Sequence, residues 1–205
     1  MAAESAESPP YPNPHSPDER RLYSNVGHWV EGGVLGVTSG LSLLDAVRPE
    51  LGWPARWSAR SATAAGMLLG GGILVGTLHH GGPRLYLRHE HQDREHLRMA
   101  ALIATGGLVE ASVSAHPARL GGAAPLAGVG SMFLTHEQHG TGEALEKSKA
   151  AHRRLGLSLV AAGAAKAADA LRLPGPWALV WPSLGLAVAA QLLGYREPAG
   201  AYEQG

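Results

Sequence analysis

The stretch SATAAGMLLGGGILVGTLHH, residues 61–80, decides the fold. From Ser61 to Leu78 it carries no charged side chain and is long enough to cross a bilayer as a helix. It ends in His79 and His80, just before the breaker Gly81-Gly82-Pro83. Outward from it, the chain repeats the same alternation of apolar block and short charged stretch. Upstream, Val26 to Val47 is apolar apart from His28, Glu31 and Asp45. Downstream, apolar blocks run from Met99 to Ala115, Leu120 to Thr135, Leu155 to Leu171 and Trp177 to Tyr195. The expectation is an all-α polytopic membrane bundle of six transmembrane helices. The number is five if the block interrupted by Lys166 and Asp169 is a buried helix instead.

Composition fits this reading. Phe occurs once and Gly 28 times, which would leave a soluble core short of bulky side chains, whereas small residues let helices pack closely in lipid. Residues 1–25 are read as a disordered tail rich in Pro, Ser and acidic groups, with no basic region leading into an apolar stretch as a signal peptide would have. The bundle is expected over 26–196, with a short C-terminal tail over 197–205. The highly charged segment 84–98 has no Gly or Pro after its start, and reads as a surface helix that runs into the third span and offers a docking face to a protein partner.

Lys and Arg set the orientation. Arg20, Arg21, Arg84, Arg88, Arg94, Arg98, Lys147, Lys149, Arg153, Arg154 and Arg196 fall on one side of a six-span drawing. Only Arg48, Arg56, Arg60, Arg119 and Arg172 fall on the other. Both termini are therefore expected to be cytoplasmic, in an inner or plasma membrane. The aromatic residues agree, with Trp53, Trp57, Trp177 and Trp181 at the outer boundary and Trp29, Tyr86 and Tyr195 at the inner one.

No cysteine is present, which excludes disulfides, thiolate metal sites and cysteine nucleophiles and leaves transition-metal chemistry to the 11 histidines. The balanced formal charge suggests no nucleic-acid partner. There is no Walker loop, dinucleotide fingerprint, Gly-x-Ser-x-Gly elbow or His-Glu-x-x-His. Glu-x-x-His pairs are also lacking, which argues against a di-iron carboxylate site.

With both termini inside, His28, His79, His80, His89, His91, His96, His136, His139 and His152 all fall near the cytoplasmic boundary. Leading metal candidates are His79, His80, His136, His139 and His152, with Met132 one turn before His136 as a thioether that would favour copper. Neighbouring His79 and His80 point about 100 degrees apart on a helix, so only one would face a shared site. Paired with His136 or His139, it would give bis-imidazole ligation of a haem b. A second set is His89, Asp93 and His96, at i, i+4 and i+7 on the charged helix, and a third is His28 with Glu31. Each histidine also has a plain reading as an interfacial side chain bonded to loop carbonyls.

Inside the spans, Glu110 is a candidate proton carrier, metal ligand or structural hydrogen-bond partner, and Lys166 and Asp169, at i and i+3, can pair on one helix face. The run Met132-Phe-Leu-Thr-His136-Glu-Gln-His139-Gly-Thr, with His152 opening a Gly-rich span, resembles the histidine-bearing membrane helices of copper-resistance and b-type cytochrome proteins. The resemblance covers about a quarter of the chain, and no residue role is taken from it. Three functions follow as expectations. The first is a metal or haem site near the cytoplasmic face, acting in metal handling or electron transfer. The second is a non-catalytic docking subunit, and the third is a proton-coupled small-solute carrier using Glu31, Glu110, Lys166 and Asp169.

Overall fold

The computed structural model of the chain describes residues 16–51, 66–67, 91–112, 120–135, 138 and 141–201. Among these residues there are five long helices and no strand: α1 (Pro17–Val47), α2 (His91–Ser112), α3 (Leu120–Thr135), α4 (Gly142–Ala170) and α5 (Trp177–Gly194). The all-α expectation holds.

Helix α1 starts well before the expected first span, because residues 16–19 form a capping box. The Ser16 hydroxyl accepts from the Glu19 N–H, the Glu19 carboxylate accepts from the Ser16 N–H at 2.8 Å, and Pro17 takes the first helical position. Residues 17–25, assigned from sequence to the tail, are thus helical. The helix stops at Val47, where Pro49 disfavours helical backbone at Arg48.

Helix α4 is also longer than its span. The charged stretch before His152, outside the expected span, is rich in Glu, Ala and Lys and continues the helix back to Gly142. Glu143 pairs with Lys147 at 2.7 Å and Glu146 with Lys149 at 3.1 Å. At the other end Arg172 adopts φ 55°. The Leu173 N–H bonds to the Ala168 carbonyl and the Arg172 N–H to the Asp169 carbonyl, the crossed pair that closes a helix at a left-handed residue. Helices α3 and α5 match their expected spans, each with an internal proline, Pro125 and Pro182.

The helices form a ring. Helix α1 lies along α5, α5 along α4, α4 along α3 and α3 along α2. Gly66 and Met67, both helical, close it between α1 and α2. A Cβ on Gly66 would stand 2.7 Å from Val34, and the Met67 methyl lies 3.0 Å from where a Cβ on Gly106 would be. The rest of the expected second span, with His79 and His80, lies outside the described residues. Met99, Val129, Leu155, Leu159, Val188 and Leu192 form the apolar core, with Leu35 of α1 packed against it. Backbone meets backbone at Gly130 and Gly156, where a Cβ on either would come within 2.8 Å of the other's carbonyl oxygen.

Among the described helices, α1 and α5 are long and apolar enough to cross a membrane, and α3 is apolar but 16 residues long. Helix α2 holds Arg98 and Glu110, and α4 holds Arg153, Arg154, Lys166 and Asp169, which lowers the apolar character of both.

Candidate functional site

Two polar clusters lie inside the ring. The first forms where the start of α1, the first half of α4 and the end of α5 meet. His28 and His152 are buried, and their ring centroids are 5.8 Å apart. Each ring is fixed to its own helix, His28 Nδ1 lying 2.7 Å from the Ser24 carbonyl oxygen and His152 Nδ1 2.9 Å from that of Ser148. A carbonyl only accepts, so Nδ1 carries the proton in both rings and Nε2 is the basic nitrogen. The Tyr195 ring lies tilted against His28 at 4.3 Å and edge-on to His152 at 5.5 Å, and Phe133 closes the far side of His152 at 5.4 Å.

A shell of hydrogen bonds holds this cluster. The Ser148 hydroxyl donates to Gln138 Oε1 at 3.0 Å, which ties the segment after α3 to the turn preceding His152. The Ser24 hydroxyl donates to Glu197 Oε2 at 2.7 Å, and the Glu197 N–H donates to Asn25 Oδ1 at 2.7 Å. Trp29 Nε1 donates to the Tyr195 carbonyl at 3.0 Å, while the Arg196 guanidinium lies 4.4 Å over the Trp29 ring. The residues after α5, assigned from sequence to a tail, therefore fold back onto α1.

The second cluster lies toward the other end of α4, fourteen residues or about 21 Å further along the helix. Lys166 Nζ is 2.9 Å from Glu110 Oε1, with 8% and 7% of the two side chains exposed. The ammonium also sits 4.1 Å over the Trp181 ring. Gly122 of α3 makes room for the pair, since a Cβ there would collide with Glu110 Oε1 and Lys166 Cε and lie 2.8 Å from Nζ. Lys166 thus pairs with Glu110, a partner from another helix, where the i, i+3 spacing had offered Asp169. The ammonium reaches across the ring to α2, where the buried Glu110 carboxylate compensates its charge.

Between the clusters is a chamber of about 130 Å³. Its walls are apolar, with Glu31, Thr38 and Lys166 as its polar contributors. Small-molecule pockets run from about 300 to 1,000 Å³, so this chamber does not provide the broad slot a haem needs.

Of the metal candidates, His152 and His28 are brought together. Met132 is half-buried and packs against the apolar core. His79, His80, His89, His136 and His139 lie outside the described residues, while Asp93 and His96 lie on the backbone of α2. Among the described residues no group of three or more His, Cys, Asp or Glu gathers as a metal-ligand set. Sequence reasoning missed Ser24, Ser148, Tyr195, Trp181 and Gly122 as site residues. One signal was present: both buried histidines follow a serine by four positions, Ser24-x-x-x-His28 and Ser148-x-x-x-His152.

Comparison with family models, with curated proteins and with solved structures finds no match for this chain.

Proposed function

We propose that this chain is a multi-pass membrane bundle that holds a transition-metal ion on imidazole near its cytoplasmic end, acting in metal handling or electron transfer. One observation carries the reading: His28 and His152, from different helices, meet in a buried cluster with Nδ1 of each fixed to a carbonyl. Metal-ligating histidines are prepared in this way, with the other nitrogen bonded so that the ligating one is oriented and basic. The Tyr195 phenol and the sequence neighbours of Gln138, His136 and His139, are the candidates to complete the ligand set.

The membrane part rests on α1 and α5, on polar groups buried inside the bundle and on large apolar side chains turned outward. Ser24, His28, Glu110, Ser148, His152, Lys166 and Glu197 are buried, while Val37, Leu108, Leu134, Leu157 and Leu193 are exposed, one from each helix. That is the pattern of a bundle whose solvent is lipid.

Elemental analysis of protein purified in mild detergent after loading with copper(II) or zinc(II) tests the reading. It predicts near-stoichiometric metal in the wild type and loss of most of it in His28→Ala and His152→Ala. Equal metal in the wild type and the double variant would remove the site, and a Soret band lost with the same histidines would restore haem.

A second reading, a proton-coupled carrier, is favoured by the buried Glu110–Lys166 pair beside a chamber. It predicts that Glu110→Gln abolishes proton movement in proteoliposomes, and unchanged movement would exclude it.

A further inference from the structure

Lys166 does more than close an ion pair. It lines the chamber from which the helices stand back, and Gly122 beside it contributes no side chain to cover it. An ammonium has three N–H donors. Glu110 takes one, and the Trp181 face accommodates the positive charge rather than accepting a further strong hydrogen bond. Glu31 and Thr38 add polar groups to the lining, and the other described wall residues, including Leu35, Val129, Phe133 and Leu192, are apolar.

We infer that the chamber is a binding site for a small neutral molecule of roughly phenol size, with an apolar body and one hydrogen-bond acceptor directed at Lys166. Size sets the first limit, because a cavity of about 150 Å³ lined by apolar side chains holds benzene. Charge sets the second. Glu110 already balances the ammonium, so an anionic ligand would bring an unpaired charge between largely apolar walls, at a large desolvation cost, and a cationic one would face the ammonium itself. Polarity sets the third, since a hydrogen bond to a buried cation strengthens binding where a hydrocarbon gains only contact. The site is separate from the imidazole cluster, and binding here neither requires nor excludes a metal there.

Fluorine NMR of 4-fluorophenol and fluorobenzene with the full chain in detergent tests this, with empty micelles as the reference. The expected result is saturable binding of 4-fluorophenol, one per chain, about tenfold tighter than fluorobenzene. Val129→Phe, which fills the chamber, should abolish both, with Leu126→Phe as a second filler if the first loses helicity. The double variant Glu110→Gln with Lys166→Met should bind the two probes alike. Partitioning no different from empty micelles, binding that survives a folded filler variant, or a preference for 4-fluorophenol that survives the double variant would each overturn the proposal.

Discussion

Lys166 would be a costly residue in a ring of Gly and Ala helices if it stood alone. Its carboxylate partner, the Trp181 face and the space left by Gly122 together make it tolerable. Removing one member leaves the other charged and buried, so Glu110→Ala or Lys166→Ala should destabilise the fold by about 3–5 kcal/mol. Glu110→Gln with Lys166→Met should cost far less than the sum of the single changes. A double-mutant cycle on unfolding in mixed detergent measures the difference, and additive losses would show that the pair is not coupled. Arg172 allows a second prediction in the opposite direction. It occupies a left-handed position that Gly adopts freely, so Arg172→Gly should stabilise the helix end by about 1 kcal/mol, read as a raised Tm. Sequence marked Glu110 and Lys166 as buried charges with a task. It did not show their pairing, because Asp169 at i+3 advertises a local partner, whereas Glu110 arrives from a helix that only folding brings near.

At the scale of elements, the α3–α4 contact depends on backbone meeting backbone at Gly130 and Gly156. A methyl group at Gly156 must push the helices apart, and Gly156→Ala should cost about 1–3 kcal/mol, with Ala161, exposed on the same helix, as a position where change is nearly neutral. The start of α4 is pH-sensitive on a smaller scale. A hydrogen bond from Lys147, with its charge as a second cause, holds the Glu143 carboxyl below the usual carboxylate range. A depressed acid stabilises the folded form above its unfolded value, and that contribution is lost as pH falls through the lower folded value. Glu143→Gln should therefore remove a small acid-dependent part of α4 helicity, seen by circular dichroism across that range. Apolar blocks located α3 and α5 well, since their ends coincide with polar or Pro-rich stretches. The starts of α1 and α4 were hidden because capping and Glu–Lys pairing extend a helix through residues that hydropathy counts as exterior.

At the scale of the whole molecule, two polar clusters stand at opposite ends of a narrow apolar chamber, and each described helix turns some large apolar side chains outward. Sequence foresaw an all-α protein, while its expected gathering of histidines falls mostly on residues outside those described, apart from His28 and His152. It could not foresee which would meet, because convergence of His28 and His152 depends on the order of helices around the ring rather than on any local spacing. The central claim is that these two imidazoles hold a metal. Electron paramagnetic resonance of the purified protein loaded with one equivalent of copper(II) tests it most directly. Nitrogen hyperfine structure from at least two imidazoles is expected in the wild type, and it should be lost, with most of the bound copper, in His28→Ala and in His152→Ala. A spectrum that neither substitution alters would contradict it and leave the buried histidines as packing groups of the bundle.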